Sequence, residues 1–165
     1  MYELISLEDS EYSKDDFDSL YVKKIQFGYE GFYYVLKNGD PFLRVEVDIR
    51  SLFDDAIIFN ESLCIGSRDS VYFINMDNLE CKEIEVKMYF GYFHIYNDLL
   101  FVLDGQGVIA FDNKIHELWR RTDLAIDGVV LDEIENGTIL VLSCEMDPPG
   151  GWVTRRMNIR NGMEI

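Results

Sequence analysis

The sequence predicts an all-β fold of repeated antiparallel sheets, and three observations carry that prediction. From Leu20 onward, short runs rich in Val, Ile, Leu, Tyr and Phe follow one another with strand periodicity and no sustained helical stripe. Asn, Gly and Asp punctuate the runs where tight turns are needed. One strand-and-turn grammar then returns three times. These features predict at least twelve strands and fewer than about 10% helical residues.

The chain opens on an acidic stretch. Residues 1–19 hold Glu3, Glu8, Asp9, Glu11, Asp15, Asp16 and Asp18 against a single Lys14. Tyr2, Leu4, Ile5 and Leu7 suit a short strand. Ser13 to Leu20 reads as one helical turn, with Ser13 as N-cap and Asp15 and Asp16 near the positive end of its dipole. Such a run makes either a solvated face or an acidic docking arm, whose contact residues would be Glu8, Asp9, Glu11, Asp15 and Asp16.

Residues 20–50 read as β-hairpins. Leu20–Phe27, Phe32–Lys37 and Phe42–Ile49 are the strands, with Asn38-Gly39-Asp40 as a tight turn between the last two. In the third run Leu43, Val45, Val47 and Ile49 share one face. Arg44, Glu46 and Asp48 share the other, which predicts a half-buried strand with a wet face.

The repeats occupy residues 54–86, 92–121 and 129–165. Each begins with an apolar strand, turns at an asparagine (Asn60, Asn97, Asn136) and continues into a second strand. The three asparagines lie 37 and 39 residues apart. Polar turns follow at Ser67–Ser70 and Asp104–Gly107, then Asp/Asn turns at Asn75–Asn78 and Asp112–Lys114. Four antiparallel strands in roughly 40 residues is the period of a propeller blade. The expected architecture is therefore propeller-like: three four-stranded repeats plus the N-terminal β segment, in an incomplete or irregular propeller. A length of 165 residues suits a single domain over 1–165.

The segment Ile109-Ala-Phe-Asp112 followed by Glu117-Leu-Trp119 resembles propeller repeats of the pyrroloquinoline-quinone type, although it lacks the glycine before the tryptophan. The third repeat, with Asp147-Pro-Pro-Gly-Gly-Trp152, is similar to blade-like segments of small acidic bacterial proteins. That resemblance implies an all-β recognition platform, with toxin-immunity partnership as one version, and specifies fold more than chemistry.

Composition narrows the function classes. The formal net charge is −16, which repels phosphate backbones and anionic lipid surfaces. No nucleic-acid or membrane partner is expected, and a basic protein partner is. Met1–Ser10 has no basic leader pattern, no apolar run approaches membrane-helix length, and the three cysteines are scattered. Together these predict a cytoplasmic protein whose cysteines are apolar fillers. No cofactor or metal motif is visible, and neither His94 nor His116 has a catalytic setting.

The most distinctive local feature is Glu145-Met-Asp-Pro-Pro-Gly-Gly-Trp152. Its prolines fix φ and its glycines permit left-handed backbone. Asp147, Trp152 and Arg155 are the binding candidates here, with Trp152 either an interface anchor or a core residue. The leading expectation is a non-catalytic protein-binding domain, an immunity-type inhibitor of a basic protein being one form. The rival is an enzyme or small-molecule binder using a cavity between sheets, with acids such as Asp104 and Asp127. Open sheet edges also allow a homo-oligomer.

Overall fold

The structure, a computed structural model, describes residues 1–22, 30–48 and 53–165. The expected strand continuation through residues 23–27 and the position of Ile49 lie outside the described residues. The described residues hold fifteen strands, two single-turn 3₁₀ helices and no α-helix. They group into two compact units, Met1–Ile84 and Glu85–Ile165.

Unit 1 begins with β1 (Tyr2–Ile5), 3₁₀ turns at Leu7–Asp9 and Lys14–Asp16, and β2 (Asp18–Tyr21). The hairpin β3 (Glu30–Lys37) and β4 (Asp40–Asp48) completes a sheet of order β1-β3-β4-β2. Two expectations are corrected here. Ser13 does cap a turn, its N–H donating to the Asp16 carboxylate at 2.7 Å, but that turn ends at Asp16 and Asp18 already starts a strand. β2 also runs parallel to β4, so the sheet is not wholly antiparallel. The acidic stretch thus supplies both outer strands of the first sheet.

The wet face expected for β4 is covered instead. Glu46 is buried and pairs with Arg44 at 3.0 Å, and Arg44 also donates to Ser19 Oγ at 2.6 Å and to the Lys14 carbonyl. The turn carrying Lys14 lies over this face, where Phe17 is buried against Tyr34 with ring centroids 5.2 Å apart. On the other face Val35, Leu43, Val45 and Val47 meet Leu63, Ile65, Tyr72 and Ile74 of the second sheet. That sheet is β5 (Asp54–Phe59), β6 (Ser62–Ser67), β7 (Ser70–Asn75) and β8 (Cys81–Glu85), in chain order.

Unit 2 repeats the second sheet's plan. β9 (Phe90–Tyr96), β10 (Leu99–Asp104), β11 (Val108–Phe111) and β12 (Glu117–Arg121) form a four-stranded meander. β13 (Val129–Glu135), β14 (Ile139–Asp147) and β15 (Gly151–Asn158) form a three-stranded one. The fourth strand expected at Met163–Ile165 reduces to one bridge, Met157 to Glu164. Gly162, with a positive φ of 66°, turns the chain against the Trp119 ring, and the residues after it meet β15 through Asn158 N–H to the Met163 carbonyl and Ile165 N–H to the Arg156 carbonyl. The core of unit 2 joins Phe101, Leu103, Ala110 and Trp119 to Leu140, Leu142, Met157 and Ile159.

Asn60, Asn97 and Asn136 each open the first hairpin turn of a sheet, with φ of 53°, 51° and 51°. Asn38 does the same in the first sheet, with φ of 57°. Asparagine tolerates left-handed backbone because its short polar side chain bonds locally. Of the cysteines, Cys64 and Cys144 are buried as expected, whereas Cys81 is exposed on β8, correcting its reading as a filler. Burial pushes the Cys144 thiol up to about 11, where it is an inert apolar group.

His94 lies half-buried on β9 opposite Phe101, and burial lowers its pKa. The folded protein therefore resists a proton that the unfolded chain accepts near its ordinary value of about 6.5. As pH falls below that value, this residue withdraws stability until its folded pKa is passed. An NMR titration is expected to place the His94 midpoint below that of an unstructured histidine, and a midpoint at or above it would refute this.

Candidate functional site

One end of unit 2 gathers the segments around Tyr89, Gly105, Gly128 and Glu145. A chain of backbone bonds ties them. Gly105 N–H donates to the Tyr89 carbonyl at 3.0 Å, Gly128 to Gly105 at 2.6 Å, and Glu145 to Gly128 at 3.0 Å. Ile126 N–H donates to the Glu145 carbonyl at 2.8 Å. Three loops and a strand end are thereby fixed against one another, the rigidity a binding surface needs.

Side chains converge on the same end. Tyr89 donates its hydroxyl to Asp127 at 2.9 Å. Burial, reinforced by Asp127, Glu145 and Asp104, raises this phenol to about 12, so it stays a donor at neutral pH. Glu145 pairs across the ladder with Trp152, and its Oε1 accepts the Gly150 N–H at 2.6 Å. That bond clamps the turn Asp147-Pro148-Pro149-Gly150, whose Pro148–Pro149 peptide is cis. The Trp152 ring edge hangs over Gly128, with Cη2 3.4 Å from where a β-carbon would stand.

Trp152 is 47% exposed, so the alternative that it belongs to the core is set aside. The core tryptophan is Trp119. Ile126 and Val153 are also exposed, at 51% and 47%. Asp147 is exposed at the start of the clamped turn. Among the described residues Asp127, Glu145 and Asp147 make no ion pair.

Arg155 is placed differently. Its Nε donates to the Leu124 carbonyl at 3.1 Å and its Nη1 to Glu164 at 3.0 Å. Arg156 pairs with Glu135. Both guanidinium groups already serve unit 2 itself. In unit 1, Glu8, Asp9, Glu11 and Asp15 are exposed around the two 3₁₀ turns, and Asp16 is used in the Ser13 cap. Asp104, a candidate for a cavity acid, is buried with its carboxylate accepting three backbone N–H groups, from Lys87, Gln106 and Gly107.

Sequence reasoning missed Tyr89, Ile126 and Gly128. Tyr89 and Ile126 come from loops between strands, where periodicity carries no signal, and only long-range backbone bonds bring them to Trp152. Among the described residues no group of three or more His, Cys, Asp or Glu side chains could hold a metal ion. No helix among them is long and apolar enough to cross a membrane. No protein-family model matches the chain and no curated protein matches it.

Proposed function

We propose that this is a non-catalytic intracellular protein-binding domain whose propeller-like sheets present a recognition surface to a basic partner, with Trp152 as the anchor. The observation that carries the reading is a half-exposed tryptophan at the exit of a clamped turn, near carboxylates that make no ion pair among the described residues. Aromatic anchors of this kind supply much of the binding energy where they become buried. Asp127, Glu145 and Asp147 would receive the partner's Lys or Arg side chains, and the net charge of −16 would speed encounter. An immunity-type inhibitor of a basic toxin is the most concrete version. The acidic turns of unit 1, at Glu8 to Asp16, would act on the association rate through the same field.

The test is capture from native lysate followed by kinetics on the retained protein. A basic partner is expected to be held at low salt and released as salt rises, because charge steering is screened within about 8 Å at physiological ionic strength. Trp152→Ala is expected to cost about 1 kcal/mol of stability or less, as an exposed residue should. It should nevertheless raise the dissociation rate at least tenfold. Equal dissociation rates for the two proteins would remove Trp152 as anchor. Light scattering separates this reading from self-association through open sheet edges, which would give a stable oligomer without any partner.

A further inference from the structure

The opposite end of unit 2, where the Asn97 and Asn136 turns lie, holds a partly open cleft of about 490 Å³. That volume falls within the roughly 300–1,000 Å³ of small-molecule sites. Strand β10 runs from one end to the other, from Leu99 at the cleft to Asp104 near the Trp152 surface. The two sites are therefore separate, and the inference below stands apart from the proposed recognition function.

The cleft has an apolar wall and a polar rim. Leu99, Leu118 and Ile159 form the wall, and Leu118 is 46% exposed although it lies next to the buried Trp119. Tyr96 and Arg160 stand on the rim. The other four arginines of unit 2 are each neutralised: Arg120 by Glu117, Arg121 by Asp123, Arg155 by Glu164 and Arg156 by Glu135. Among the described residues Arg160 alone of these five makes no ion pair, in a unit where acids outnumber bases. The Tyr96 hydroxyl also makes no hydrogen bond to any described residue. It reaches over Gly137, 2.9 Å from where a β-carbon would stand, so a side chain there would displace it.

A guanidinium and a phenol thus offer donors beside an apolar wall on which Leu118 is exposed and Leu99 half-exposed. Guanidinium groups pair with carboxylates through two parallel bonds. Asp98 on the same rim opposes a second negative charge on the ligand. We propose that this cleft binds a small monocarboxylate with an apolar body, its carboxylate taken by Arg160 and Tyr96 and its hydrocarbon laid against Leu99, Leu118 and Ile159.

The experiment titrates the full chain with 4-methylpentanoate and follows backbone amides by NMR, with 4-methylpentanamide as the neutral twin. The expected result is saturable shifts at Asn97, Leu99 and Gly137 with the acid, and affinity for the amide at least about tenfold weaker, the scale of one charge-assisted hydrogen bond. Arg160→Gln, an exposed replacement that keeps the fold, should weaken the acid by a similar factor and weaken the amide distinctly less, since the amide lacks the charge that the guanidinium meets. No saturable shift in this cleft would overturn the proposal. Equal affinities for acid and amide, or for wild type and Arg160→Gln, would overturn it as well.

Discussion

Replacing Trp119 with alanine is expected to destabilise unit 2 by about 3–5 kcal/mol, the usual cost of deleting a core aromatic. The ring joins the two sheets of the unit. It packs against Phe101 of β10 with centroids 6.2 Å apart, and its Nε1–H donates to the Ile159 carbonyl at 3.0 Å. Gly162 passes directly beneath it, so close that a β-carbon there would lie 2.5 Å from Cε3. Deletion therefore leaves a cavity, an unpaired carbonyl and a loosened chain end together. Thermal unfolding followed by circular dichroism should show a fall on the order of 15 °C or more for a unit of this size. Trp152→Ala should barely move the same curve. Similar melting shifts for the two variants would refute the assignment of one tryptophan to the core and the other to the surface.

That contrast also shows what a linear sequence can carry. Trp119 and Trp152 both occur in strand-like runs near turns, and nothing in their neighbours ranks one as more buried. What separates them is distant: Ile159 and Gly162 close over Trp119, whereas only the edge of Trp152 meets Gly128. The hairpin grammar, by contrast, was legible because it is local. A left-handed asparagine between two apolar runs declares itself within a few residues.

The same locality explains what was misread in the first sheet. Asn38 holds the equivalent turn, but that hairpin does not continue into two following strands. It takes its neighbours from β1 and β2, which precede it in the chain. Pairing with an earlier segment leaves no spacing to detect, and so the period of 37 to 39 residues starts only at Asn60. The wet face of β4 failed for a related reason. Alternation says which residues share a face, and it does not say that the turn at Lys14–Asp16 will lie over Arg44 and Glu46. The proposed binding surface was half legible. The Pro-Pro-Gly-Gly turn marked Trp152 and Asp147, while Tyr89 and Ile126 reach it through bonds between loops.

The segment Asp104-Gly-Gln-Gly107 shows how a polar turn can be as costly to disturb as the core. Asp104 ends β10 with its carboxylate turned inward. Oδ2 accepts the Lys87 N–H at 2.9 Å, and Oδ1 accepts those of Gln106 and Gly107 at 2.8 and 2.6 Å. Gly107 must come this close: a β-carbon on it would lie 1.7 Å from the Arg121 carbonyl oxygen, a clash no side chain can relieve. Asp104→Ala strips the acceptor from all three N–H groups and is expected to cost about 3 kcal/mol, near 1 kcal/mol for each donor left unpaired. Asp104→Asn retains Oδ1 for Gln106 and Gly107 but faces Lys87 with a donor, so its cost should be about half as large. The pH dependence has a definite sign. Burial raises the Asp104 pKa above its ordinary value, although the three N–H groups and Arg120 pull the other way. The folded state then holds this proton more firmly than the unfolded chain. As pH falls through the folded pKa towards the unfolded value near 3.9, the wild type gains stability from this residue, and the asparagine variant cannot. Urea unfolding of both proteins from neutral to mildly acid pH should show their stability difference widening as pH falls. A difference that narrows would mean that Asp104 is more acidic in the folded protein than in the unfolded chain, and that its hydrogen bonds outweigh its burial.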